Sequence, residues 1–167
     1  MADLCRVVHE IPPVYDARSR VLILGTIPSP KSREYGFFYG HPQNRFWKVL
    51  AALFQSPVPQ TNEQKRGFLL DRRIALWDVL AACEIEGASD ASIKNATPND
   101  LSPILQTARI RAICTTGTKA AALYRKYTQP ATGIPAVALP STSPANCACS
   151  LESLCASYQM ILNFLED

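Results

Sequence analysis

The 167-residue sequence predicts an α/β protein, a three-layer α/β/α sandwich with a mainly parallel four-stranded central sheet. Two observations carry that prediction. Four short runs, VLILG (21–25), IALWDVL (74–80), RAICTTG (111–117) and IPAVAL (134–139), are rich in apolar residues, as strands covered on both faces are. Between them lie stretches with helical character, and strands that alternate with helices form parallel sheets through crossover connections.

The helices are expected over 43–55 (QNRFWKVLAALFQ), 62–73, 99–109, 118–128 and 150–166. Thr61 to Gln64 has the S/T-x-x-E/Q form of a capping box, and Ser150 suits the N-cap of the last helix. There is no internal repeat and no low-complexity tract, so one domain over 1–167 is expected. With 47% apolar and 19% charged residues the chain has the composition of a folded globule. No apolar run approaches the roughly 18–20 residues of a membrane span, and MADLCRVVHE lacks a signal-peptide core. The expectation is therefore a cytoplasmic monomer without a membrane partner.

Charge is unevenly distributed. All 17 Lys and Arg fall within residues 1–126, whereas three of the 14 acids lie beyond, so the first part is net basic. That imbalance is compatible with a polyanionic partner, and many small domains share it. The six cysteines lack the paired CxxC spacings of a zinc or iron-sulfur site. Cys147 and Cys149 with Cys155 would need a fourth ligand from elsewhere, so no metal and no cofactor are expected.

In open α/β sheets ligands bind beyond the carboxyl ends of the strands. The rule points to Thr26–Tyr39, to Asp78 onward, to Thr115–Thr118 and to Ser141–Asn146. The first of these belongs to a long connection, GTIPSPKSREYGFFYGHPQN, with Pro28, Pro30 and Pro42 to stiffen it and Gly25, Gly36 and Gly40 to let backbone approach a ligand. No P-loop and no GxGxxG fingerprint is present. LPSTSPAN (139–146) offers hydroxyls and main-chain N–H groups that suit phosphate oxygens, and equally suit a solvated turn.

Ionisable candidates are few. His9 precedes the first strand and reads as structural; His41 stands between Gly40 and Pro42 and reads as either structural or site. Asp78, at a strand end, faces a site or caps a turn. Asn44 falls in the first turn of a helix, where it either caps or reaches a ligand. Phe46 and Trp47 precede Val49, Leu50 and Leu53 and are assigned to the core, whereas Tyr39 is the better exposed ring.

Together GTIPSP (25–30), GFFYGHPQNRFW (36–47), LWDV (76–79) and LPSTSPAN (139–146) resemble the uracil-DNA glycosylase superfamily, and most of all its hypoxanthine-cleaving branch, family 6. The motifs stand in family order, from about residue 20 to the end. The resemblance implies a monofunctional glycosylase that flips a deaminated base from DNA and hydrolyses its N-glycosidic bond without a cofactor. Asn44 then occupies the position that looks catalytic, addressing O6 of hypoxanthine with its N–H and N1–H with its C=O. Gly25, Thr26, Ile27, Phe38, Tyr39, His41 and Asp78 are expected around the base. Ser141, Thr142, Ser143, Pro144, Ala145 and Asn146, with Lys31, Arg45 and Lys119, are expected against DNA; Arg33 and Lys48 are further cations for the backbone.

Uracil-cleaving relatives carry a polar residue aligned with Ile27 and another aligned with Leu139, and both are apolar here. That shifts the chemistry onto Asn44. The wedge of relatives is reduced to Ser143-Pro144-Ala145, and Cys5 alone does not reproduce the ligand pattern of the iron-sulfur branches. Three rival readings make different predictions: a glycosylase for uracil, xanthine or mismatched thymine; a non-catalytic DNA-binding domain of the same fold; and a flavodoxin-like metabolite enzyme, which would bind a nucleotide or flavin and ignore DNA.

Overall fold

Every second residue of the central strands faces the opposite side of the sheet, and both sides are covered by apolar contacts. In a computed structural model that describes residues 4–166, β2 (Val21–Gly25), β3 (Ile74–Asp78), β6 (Ala112–Thr116) and β7 (Val137–Leu139) pair in parallel in the order β3-β2-β6-β7. Residues 1–3 and 167 of the expected domain lie outside the described residues. Val21, Ile23, Ile74, Leu76 and Cys114 point into one core with α2 (Phe46–Leu53), α3 (Asn62–Asp71) and α7 (Leu151–Tyr158). Leu22, Leu24, Ala75 and Ile113 point into the other, with α4 (Ser102–Thr107) and α5 (Thr118–Leu123). This is the parallel sheet covered on both faces that the four apolar runs predict.

The sequence reading missed a second sheet. After Asp78 the chain does not continue as one strand to residue 80; it turns at Val79 and enters β4 (Leu80–Glu86), which pairs antiparallel with β1 (Cys5–Val8) and β5 (Ser89–Pro98). The N–H groups of Val79 and Leu80 donate to the carbonyls of Gly25 and Thr26, and Asn99 Nδ2 donates to the carbonyls of Asp78 and Leu80 at 2.9 and 3.1 Å. These bonds hold the junction of the two sheets against the end of β2. Leu80, Cys83 and Ile85 of β4 join the second core, so this sheet shares one covering layer with α4 and α5.

Several helices are shorter than their apolar patterns. The segment expected as 118–128 is helical as α5 to Leu123, then widens into a π-type turn over Tyr124–Thr128 before α6 (Gln129–Thr132), which carries Pro130. Proline has no N–H to offer the preceding turn, which agrees with the change of pitch just before it. The last helix likewise tightens to a 3₁₀ turn over Gln159–Phe164. Inside the long connection after β2 lies an unexpected short helix, α1 (Pro30–Tyr35), capped by Ser29 and ended by Gly36 at φ 74°.

The capping box forms as its spacing predicts: Thr61 Oγ1 accepts from Gln64 N–H at 3.0 Å, and the Gln64 side chain accepts from Thr61 N–H. Thr61→Ala is expected to lower stability by about 1 kcal/mol, measured as a shift of the urea midpoint at unchanged m-value.

Candidate functional site

The carboxyl ends of β2, β3 and β6 deliver Gly25, Asp78 and Thr116 to one cleft. Its lining includes Thr26, Ile27, Phe38, Tyr39, Asn44, Ser141, Thr142 and Ser143, and on the far side Ile85, Gly87, Ala88 and Asp90 of the β4–β5 hairpin. Eleven residues that the sequence indicated thus meet, although they come from four separated segments. The hairpin wall was not anticipated, because it depends on the second sheet.

Gly25 is the centre of this convergence. A Cβ there would lie 2.5 Å from Asp78 Oδ1, 3.0 Å from the Tyr39 hydroxyl and 3.6 Å from Thr116 Oγ1. Only the absence of a side chain lets these polar groups crowd over the strand end. Tyr39 reaches them through a left-handed backbone at φ 52°, a conformation a bulky residue rarely adopts. Its ring stacks on Phe46 with centroids 3.9 Å apart and planes 6° from parallel, and its hydroxyl hydrogen-bonds Thr116 Oγ1 at 2.9 Å. Burial, reinforced by the Asp78 carboxylate and partly offset by the Thr116 bond, raises the phenol well above its ordinary pKa. Tyr39 is therefore a fixed, neutral part of the wall rather than a free exposed ring.

The stretch from Phe37 to Trp47 is organised as a scaffold beneath it. Phe46 and Trp47 are buried as expected, and Trp47 Nε1 donates to the Phe38 carbonyl at 3.2 Å. His41 forms the turn before Asn44: its Nδ1 accepts from Gln43 N–H and its carbonyl from Asn44 N–H. Its ring is not part of the cleft lining, which corrects its expected place around the base.

Asn44 combines the two roles that its position left open. Oδ1 accepts from the N–H of Phe46 at 2.9 Å and from the Thr142 hydroxyl at 2.8 Å, so the carbonyl end of the amide caps α2 and joins the 139–146 loop. Both lone pairs are engaged, which leaves Nδ2 as the end available to a ligand. The sequence expectation that one amide would both donate and accept is corrected here.

The loop after β7 is held from within. Ser141 and Ser143 hydroxyls accept from the N–H groups of Ser143 and Ala145, and Asn146 Nδ2 donates to the Ser141 carbonyl. Tyr158 OH donates to the Pro140 carbonyl at 2.6 Å, with its phenol pushed up chiefly by burial. Arg45 was expected on DNA, but its guanidinium donates to the carbonyls of Ser143, Asn146 and Cys149. Thr142 is 1% exposed and turned toward Asn44, and the Asn146 amide is turned onto Ser141; neither presents its polar head as expected. Pro144 and Ala145 stand exposed at the tip. Lys31 is exposed and paired with Glu34 at 3.3 Å, and burial raises the Asp90 carboxyl above its ordinary pKa, partly offset by the charge of Lys119.

His9, read in sequence as structural, was missed as a neighbour of the site. Its Nε2 lies 2.8 Å from Asp78 Oδ2, with side chains 2% and 6% exposed. Antiparallel pairing of Val8 with Ala82 brings it there. RVVH has the β-branched character of a strand with Val7 and His9 on one face, the one signal that could have suggested it. The cysteines form no cluster: among the described residues no group of three His, Cys, Asp or Glu is placed to hold a metal, and burial pushes the Cys114 thiol up to about 12.

Known proteins agree with this arrangement. A family model described as the uracil DNA glycosylase superfamily matches residues 12–166. A protein of Methanosarcina acetivorans named hypoxanthine DNA glycosylase is 35% identical over 137 residues, 81% of this chain and 85% of the relative. A protein of the same name from Methanosarcina barkeri is 39% identical over 92 residues, 54% of this chain and 58% of the relative. A solution NMR structure from Methanosarcina acetivorans, provisionally named uracil DNA glycosylase, superposes with a TM-score of 0.77 at 31% identity, covering 92% of this chain and 98% of that one. With a family model matching residues 12–166 and a relative 35% identical over 81% of this chain, the protein belongs to the uracil DNA glycosylase superfamily.

Proposed function

We propose that this chain is a monofunctional DNA glycosylase that hydrolyses the bond between deoxyribose and a flipped, deaminated base, with hypoxanthine as the base that fits best. It acts as a single-domain, cytoplasmic monomer. The observation that carries the reading is the pairing of one outward donor with one outward acceptor in a cleft at the sheet edge. Asn44 offers Nδ2 alone, and Asp78 offers Oδ1, to which no donor is hydrogen-bonded among the described residues. Hypoxanthine presents O6 as an acceptor beside N1–H as a donor. Asn44 serves the first and the Asp78 carboxylate the second, whereas adenine would turn a bare N1 lone pair toward that carboxylate.

Cleavage moves the bonding electrons of C1′–N9 onto the departing purine while the sugar becomes cationic. Water adds to C1′ and its proton is released, so no covalent protein intermediate is needed. Nδ2 of Asn44 lowers the barrier by donating to a base that is gaining negative charge, an interaction stronger in the transition state than in the bound substrate. Gly25, Thr26, Ile27, Phe38 and Tyr39 form the floor and walls that hold the ring. The hydroxyls of Ser141 and Ser143 accept from main-chain amides, which keeps their O–H groups available for phosphate oxygens. Lys31 and Lys119 supply charge, and exposed Pro144 and Ala145 enter the vacated stack.

With enzyme in excess over a hypoxanthine-containing duplex, Asn44→Ala is expected to slow cleavage roughly 100- to 1,000-fold, the usual consequence of removing one such donor, read on alkaline gels. An unchanged rate would remove Asn44 from the chemistry. Gly25→Ala puts a Cβ 2.5 Å from Asp78 Oδ1; near-complete loss of cleavage with a native circular-dichroism spectrum is the expected result. Prior treatment with EDTA should leave the wild-type rate unaltered.

A further inference from the structure

The geometry points to His9 as a positioning residue for base recognition: through its hydrogen bond it fixes the Asp78 carboxylate with one oxygen turned toward the base. This deepens the glycosylase reading above and rests on it.

The imidazole itself cannot meet substrate. Its side chain is 2% exposed, it is absent from the cleft lining, and its ring is held against Phe38 at 5.9 Å and Trp77 at 6.0 Å between centroids. What it can do is act on Asp78. A carboxylate only accepts, so Nε2 carries the proton and donates to Oδ2 at 2.8 Å. That contact settles which oxygen faces the protein and which faces the cleft. Oδ1 is left over Gly25, where a glycine has been required to give it room. Without His9, the carboxylate has no other side-chain donor among the described residues and is free to turn about its χ2 bond.

The element that supplies His9 explains why the small sheet matters to the site. Val7 anchors β1 in the second core, and the His9 N–H donates to the Ala81 carbonyl at 2.7 Å, just beyond the junction that Asn99 clamps. Imidazole and carboxylate are thus carried by different sheets, His9 directly after β1 of the small sheet and Asp78 at the end of β3 of the parallel one, and the Val79 junction holds the two sheets together. A rotamer locked this way gives a donor-reading acceptor without reorganisation when the base arrives.

The test is a single-turnover rate and half-saturating enzyme concentration on a hypoxanthine duplex for wild type, His9→Phe, His9→Gln and Asp78→Asn, and for His9→Phe combined with Asp78→Asn. His9→Phe should lower the limiting rate roughly tenfold to a hundredfold, the loss expected for a misdirected charged hydrogen bond, with little change in half-saturation. His9→Gln, which keeps an N–H donor of similar reach, should recover to within about threefold of wild type. In the Asp78→Asn background the His9→Phe change should alter the rate less than about twofold, because the group it positions is gone. A His9→Phe protein that cleaves at the wild-type rate overturns the inference, as does a His9→Gln protein no better than His9→Phe, or equal losses from His9→Phe with and without Asp78. Wild-type protein that cleaves no lesion overturns the underlying reading itself, so the two failures are distinct.

Discussion

The site depends on one missing side chain. At the end of β2, flanked by β3 and β6, Gly25 leaves a space into which Asp78, Tyr39 and Thr116 close from three directions. Parallel strands put their carboxyl ends at one edge, but side chains at that edge ordinarily keep their neighbours apart. Glycine removes that separation. The consequences spread outward: Tyr39 needs a left-handed backbone to reach the cluster, Phe46 must lie flat beneath its ring, and α2 must begin where Phe46 is so placed.

The start of α2 ties this cluster to the loop after β7. One carbonyl oxygen, Oδ1 of Asn44, receives the first helical N–H and the Thr142 hydroxyl, while the next residue, Arg45, gathers three carbonyls of the 143–149 segment. Helix, catalytic candidate and loop are therefore one hydrogen-bonded unit. Arginine suits this use because its planar fork can satisfy several fixed carbonyls at once, and a lysine could not reproduce it.

Much of this was legible from residues alone. The apolar runs marked the strands and a sheet covered on both faces, and the rule about strand ends located Thr26, Tyr39, Asp78, Thr116 and Ser141 before any contact was known. Asn44 stood out because it sits in the first helical turn at that edge. What stayed hidden were non-local pairings. β4 alternates buried with partly exposed residues with one break, and β5, the long polar run SDASIKNATP, has no buried residue and no apolar stripe to announce it. His9 lies 69 residues from Asp78, and only the register of β1 on β4 joins them. Arg45 and Lys31 look alike in sequence, yet one faces carbonyls and the other solvent, a difference set by which side of a helix start each occupies.

The polar groups that line the cleft are largely engaged with one another. Tyr39 and Thr116 satisfy one another, Thr142 is taken by Asn44, and Asp78 is taken at one oxygen by His9. Each of these bonds fixes a rotamer, and each withdraws a group from competition for the base. Among the groups left facing inward are a donor, Nδ2 of Asn44, and an acceptor, Oδ1 of Asp78, in a partly apolar cleft where hydrogen bonds act more strongly than in water. A leaving group that becomes an anion benefits from a fixed donor more than its neutral precursor does, so rigidity itself becomes the source of rate. In the proposed reaction an amide held by its own carbonyl end brings no nucleophile of its own, and discrimination rests on the pattern of donors and acceptors that the base presents.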